Sequence, residues 1–68
     1  MSQISKRESE VLKLVSFGLS AKEISSQLFL SEHTVNAHKK NISIKLECKN
    51  IAAMVRKGFE SGILTVQH

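Results

Sequence analysis

Apolar residues recur along this chain at intervals of three and four, in four stretches separated by polar or glycine-containing breaks. Val11, Leu12, Leu14 and Val15 follow Ser5-Lys6-Arg7-Glu8, an S-x-x-E capping box in which two side chains satisfy free backbone N–H groups. They predict a first helix from about Lys6 to Phe17, ended by Gly18 in the left-handed conformation. A second capping box, Ser20-Ala21-Lys22-Glu23, opens a short helix over about 21–28, with Ile24 and Leu28 one turn apart. Ser31 is a good N-cap for a third helix, about 32–46, whose Val35, Ile42 and Leu46 form one narrow apolar stripe. After Glu47-Cys48-Lys49-Asn50, Asn50 caps a fourth helix from about Ile51 to Ser61, with Gly62 after it. The fold class read from this pattern is all-α: a compact four-helix bundle, with residues 1–68 as a single domain.

At 100° per residue, the third helix turns His33, Asn36, Ala37 and Lys40 away from its apolar stripe, with Thr34, His38, Asn41 and Lys45 along one flank. Ile44 interrupts that polar side. The second and third helices are joined by a tight turn whose Phe29 and Leu30 are apolar enough to be buried. A short helix bracing a longer one in this way is the helix-turn-helix arrangement, although an ordinary helical hairpin has the same outline. In the fourth helix, Ile51, Ala52, Ala53, Met54, Val55 and Phe59 cover more than one face. One small core cannot use them all, so that helix is read as a dimerisation helix, the alternative being simple exposure.

Composition narrows the function class. The chain has 68 residues, no proline, three glycines and 41% hydrophobic residues, which argues against disorder. Net charge is +4 and unevenly spread: residues 1–30 carry +1, residues 31–57 carry +4 and the remainder −1. The excess lies on and just after the third helix, where a polyanion would find it. No apolar run approaches the roughly 18 residues of a membrane span, and the N-terminus lacks the apolar core of a signal peptide. A lone Cys48 excludes an internal disulfide and fits a reducing cytoplasm; it is read as a small buried hydrophobe. His33, His38 and His68 are not at metal-ligand spacing with Cys48 or a carboxylate cluster, so no metal is expected. Paired carboxylates, a phosphate-binding glycine loop and a nucleophile–base pair are all absent, so the chain is read as no enzyme, with no cofactor and no small-molecule ligand.

These residues resemble the LuxR/GerE-type helix-turn-helix domain. Ile4-Ser5-Lys6-Arg7-Glu8-Ser9-Glu10-Val11-Leu12 is similar to that family's L-T-x-R-E-x-E-V-L, and Gly18 to Ile24 is similar to G-x-S-N-K-E-I. Ser31 to His38 resembles S-x-x-T-V-K-x-H, Ile42 to Leu46 resembles I-x-x-K-L, and Gly62-Ile63-Leu64 resembles the closing G-L-L. Every spacing is kept across residues 4–64. The resemblance implies a bacterial transcription regulator of the cytoplasm, nucleoid-associated when bound, that reads double-stranded DNA with its third helix in the major groove. It also implies a homodimer through the fourth helix, with a pairing face at Ile51, Met54, Val55, Lys57 and Gly58; RNA polymerase is a further candidate partner.

The base-reading positions implied are Asn36, Ala37 and Lys40, and their chemistry suits that role. Asn36 can bond bidentately to adenine, Lys40 can donate to guanine, and the Ala37 methyl can touch a thymine methyl. The phosphate-binding positions implied are Lys22, Thr34, His38 and Lys45, with Ser20 and Lys39 as helpers; His38 has a structural place at the edge of the core as its alternative. Free N–H groups at the starts of helices two and three add donors.

Departures from the family pattern shift some expectations. Asn36 stands where lysine or arginine is commonest, so a different base preference follows. Ala21 replaces an asparagine, Glu47 sits where a glycine usually ends the third helix, and Ile51 and Ala53 replace an arginine and a glutamate. The missing residue-36 cation, Ile44 and the apolar fourth helix support the rival reading, a helical interaction module that binds an acidic protein partner. A chain of this length holds no receiver or sensing domain; a stand-alone regulator and the effector domain of a longer one both fit.

Overall fold

The structure, a computed structural model, describes residues 4–64, and among these it has four helices and no strand. They are α1 (Lys6–Ser16), α2 (Ala21–Leu28), α3 (Glu32–Leu46) and α4 (Ile51–Glu60). His68, weighed above as a metal ligand, lies outside the described residues. Each helix starts where a polar side chain takes up a free backbone donor. Ser5 and Ser20 do so within full capping boxes, paired with Glu8 and Glu23. Ser31 accepts from the Thr34 N–H at 3.0 Å, and the Asn50 carbonyl oxygen accepts from the Ala53 N–H at 2.8 Å. The fourth cap has no reciprocal partner, because Ala53 stands where a carboxylate could have reached back.

All four helix ends turn on a left-handed residue: Gly18, Phe29, Glu47 and Gly62, at φ of 87°, 56°, 53° and 83°. After α1 the Gly18 and Leu19 N–H groups close back onto Val15 and Leu14, the Schellman arrangement that satisfies the last carbonyls. After α2 the Leu30 N–H returns to the Ser25 carbonyl, and after α3 the Cys48 N–H returns to that of Ser43. A glycine adopts this backbone at no steric cost, whereas Phe29 and Glu47 each bear a Cβ penalty. Both strained residues flank α3.

One core holds the helices together. Val11, Leu12 and Val15 from α1, Ile24 from α2, Val35 and Ile42 from α3, Met54 from α4 and Leu64 beyond it are all buried. α3 therefore grips through Val35 and Ile42, with Leu46 half-buried beside them. α2 and α3 pack against each other across a two-to-three-residue turn, α1 lies against α3 and α4, and α4 also meets α3.

The expected boundaries shift slightly. Phe17 and Ser61 are C-caps and not helical residues, so α1 ends at Ser16 and α4 at Glu60. The α2–α3 turn departs more from expectation. Phe29 is 94% exposed, because its left-handed backbone throws the ring outward, and only Leu30 folds back against the core. Cys48 is half-buried, its sulfur facing the Ser43 carbonyl at 3.7 Å.

Glu47 supplies a stability test, since it is exposed and its left-handed backbone does not need its side chain. Glu47→Gly should raise stability by about 0.5–1 kcal/mol, the relief of strain less the extra freedom glycine has when unfolded. Urea unfolding midpoints measure it; an unchanged or lowered midpoint would show that the turn is not strained.

Candidate nucleic-acid interface

α3 is 15 residues long, about 22 Å, and is clamped along one side only. With Val35 and Ile42 at the core, rotation by 100° per residue turns His33, Asn36, Ala37, Lys40, Asn41 and Ile44 outward, and all six are exposed. The three positions assigned to base reading, Asn36, Ala37 and Lys40, thus share one unobstructed face. Among the described residues no ion pair or hydrogen bond engages the side chains of Asn36, Lys39, Lys40 or Lys22; the Ser25 hydroxyl donates only to the backbone carbonyl of Lys22.

The positions assigned to phosphate contact divide into two groups. Ser20 and Lys22 are exposed at the start of α2, while Thr34, His38 and Lys39 are half-buried along the flanks of α3. The Ser31 hydroxyl donates to Thr34 Oγ1 at 2.9 Å, which leaves the threonine proton free to be donated outward. Ser20 and Glu23 use each other's backbone N–H groups, so the free donors at the start of α2 are those of Ala21 and Lys22.

Lys45 is engaged differently from the rest. Its ammonium donates to Glu8 Oε1 at 2.6 Å, and Glu8 as a residue is only 4% exposed. The same oxygen accepts from the Ser5 N–H at 2.9 Å, so Glu8 both closes the α1 capping box and pairs with the last turn of α3. Burial alone would push the Glu8 carboxyl up. The Lys45 ammonium, the Ser5 N–H and the Ser5 side chain more than offset this and hold it below its ordinary 4.5. Lys45 therefore ties α3 to α1, and its charge is already partly neutralised by the Glu8 carboxylate.

The fourth-helix positions also separate. Met54 and Gly58 face this chain's own core: a Cβ added at Gly58 would lie 2.8 Å from Leu64 Cδ1 and 3.0 Å from Leu12 Cδ2. Glycine is what allows α4 to approach α1 so closely. Lys57 donates from Nζ to the carbonyls of Leu46 and Glu47, both at 2.8 Å, and so caps the end of α3. Ile51 is 51% and Phe59 42% exposed, while Val55, between them at the same four-residue spacing, is half-buried and packs against the core. Sequence reasoning left the exposed Phe59 unassigned and missed both lysine anchors. The repeat Ile51, Val55, Phe59 was a readable signal, whereas the anchors depend on helices meeting far along the chain.

The family profile described as GerE, bacterial regulatory proteins of the luxR family, matches residues 2–57. The chain is 35% identical over 65 residues to the uncharacterized response regulatory protein YgeK of Escherichia coli (strain K12), covering 96% of this chain and 44% of that protein. It is 41% identical over 61 residues to the oxygen regulatory protein NreC of Staphylococcus aureus (strain JH9), covering 90% of this chain and 28% of that protein. The chain thus spans less than half the length of these curated relatives. Among solved structures, transcription factor GerE superposes with a TM-score of 0.88 at 32% identity, covering 96% of this chain and 97% of that one. The response regulator ChrA of a heme-sensing two-component system superposes with a TM-score of 0.89 at 31% identity, covering 94% of this chain and 32% of that one.

The Glu8–Lys45 pair makes stability depend on pH with a definite sign. A carboxyl held below 4.5 in the fold contributes stability that is present above that pH and is lost as pH falls through the lower folded value. Glu23, whose carboxyl the Ser20 backbone and side chain also hold low, adds in the same direction. Glu8→Gln should lower stability at pH 7 by about 1 kcal/mol and lose less than the parent between pH 4.5 and pH 3. Unfolding curves across that range decide it; parallel losses in the two proteins would show that Glu8 carries no special share.

Proposed function

The chain belongs to the luxR family of bacterial regulatory proteins, a family of helix-turn-helix transcription regulators, and from that premise we propose that it binds double-stranded DNA sequence-specifically with α3 in the major groove. The supporting observation is the outward face of α3, where Asn36, Ala37 and Lys40 are exposed, while the opposite side is locked into the core. A major groove about 12 Å wide admits a helix of this diameter, and α2 braces it from behind. In this reading Asn36 bonds to an adenine edge, Lys40 donates to a guanine and Ala37 meets a thymine methyl. Lys22, Lys39, Thr34, His38, Ser20 and the free N–H groups at the starts of α2 and α3 hold phosphates and set the register. Lys45 acts mainly by keeping α3 in position, with a secondary part in the surrounding field.

We further propose self-association through Ile51 and Phe59, exposed apolar residues of α4, with the half-buried Val55 between them at the edge of the core. Two copies related by a twofold axis would present two α3 helices to a pseudo-palindromic site. A cytoplasmic place, and contact with RNA polymerase, accompany the reading of a bacterial regulator; no helix of the described residues is long and apolar enough to cross a membrane. No catalytic step is assigned.

Selection of bound duplexes from a random pool, followed by titration against salt on the winning site, tests this reading. Affinity should fall steeply as salt rises, because bound lysines release condensed counterions. Lys22→Ala should weaken binding to every duplex and reduce the salt slope by about one; Lys45→Ala is a poor substitute, since it also strands Glu8. Asn36→Ala should instead cost about 1–3 kcal/mol at one base position and relax preference there. Equal losses on all sequences would remove Asn36 from base reading. A pool that enriches nothing even at low salt would leave the face to an acidic protein partner.

A further inference from the structure

Ile44 is the one large apolar side chain on the outward face of α3, and it is 64% exposed. Lone exposed hydrophobes are common on protein surfaces and usually mean nothing. Its position separates Ile44 from that background. Taking Val35, Ile42 and Leu46 as the buried direction, Ile44 points about 180° away, at the centre of the offered face. Ala37, Lys40, Asn41 and Ile44 follow one another at offsets of three, four and seven, and all four are exposed. Those offsets are the ones at which a recognition helix lying along the major groove reaches base edges. Nothing within the described residues covers Ile44, and a β-branched residue there does not favour the helix.

We propose that Ile44 is a specificity-determining residue whose side chain touches the 5-methyl group of a thymine, beyond the positions read by Asn36, Ala37 and Lys40. The inference rests on the DNA-reading function proposed above and adds a contact to it. Among the base edges of the major groove, the thymine methyl is the feature that an aliphatic side chain can pair with. Ile44 lies seven residues beyond Ala37, about 10.5 Å along the helix, which corresponds to about three base-pair steps. A straight helix diverges from a curving groove toward its ends, so a contact there needs a longer side chain than alanine. Lys40, one turn earlier on the same face, supplies the charge that draws this end of α3 toward the duplex.

The test uses the duplex selected from the random pool, with each thymine replaced in turn by deoxyuridine, which pairs identically but lacks the methyl. For the parent protein, one thymine per half-site should show a loss of about three- to tenfold on replacement. Ile44→Ala should bind the unmodified site with a comparable loss, and should show no further loss when that one thymine is replaced. Because Ile44 is exposed and alanine is the stronger helix former, this variant should fold, as far-ultraviolet circular dichroism checks. Undiminished binding by Ile44→Ala, or an unchanged deoxyuridine penalty in it, would overturn the contact while the DNA-reading function stands. Loss of self-association in Ile44→Ala, seen by sedimentation without DNA, would overturn it in favour of a second copy on this face. Failure to select any duplex would overturn both proposals together.

Discussion

A single carboxylate oxygen, Glu8 Oε1, holds the geometry together. It accepts from the Ser5 N–H that begins α1 and from the ammonium of Lys45, 37 residues beyond Glu8 in the last turn of α3. α3 needs such an anchor because its apolar grip is narrow: Val35 and Ile42 are fully buried, Leu46 partly, and most of its circumference faces away from the protein. A stripe of that width resists separation but does little to prevent rolling. The Glu8–Lys45 pair at one side and Lys57 beneath the final carbonyls fix the roll and the axial position of the helix. Desolvation of the Glu8 carboxylate makes the pair a modest source of net stability, and its value lies in defining one arrangement.

The four helices could be read from the chain because each start carries its own polar cap, and two of the four ends carry a glycine. Ser5, Ser20, Ser31 and Asn50 act locally, within three residues, so no knowledge of the fold is needed to place them. The outward face of α3 was legible for a similar reason, since three apolar positions at helical spacing define its opposite. What stayed hidden were interactions between distant parts of the chain. Glu8 already had a complete explanation in its capping box, so nothing in the sequence called for a second partner. Lys57 is expected from the sequence on the pairing face of the fourth helix, yet its ammonium closes the end of α3.

α4 shows a different limit. Its apolar residues surround most of the helix, and periodicity alone could not say which side meets the core. Packing decided it: Gly58 sits against Leu12 and Leu64, which turns Met54 inward and leaves Ile51 and Phe59 exposed, with Val55 half-buried between them. Phe29 was misjudged for a backbone reason. An apolar residue in a tight turn is ordinarily placed inside, but the left-handed conformation that closes α2 directs this ring to solvent and leaves the inner position to Leu30. The chain thus accepts strain at Phe29 and Glu47, on either side of α3, where a glycine would have allowed more motion.

The separation of duties on α3 has an evolutionary consequence. The side chains of Asn36, Ala37, Lys40 and Ile44 contribute nothing to the core, to the caps or to the ion pair that orients the helix. Substitutions at these four places can therefore accumulate without passing through an unfolded intermediate, and a duplicated copy could change this surface while keeping its scaffold. Divergence among descendants of such a copy should be fastest on this rim and slowest at Glu8, Lys45 and Gly58.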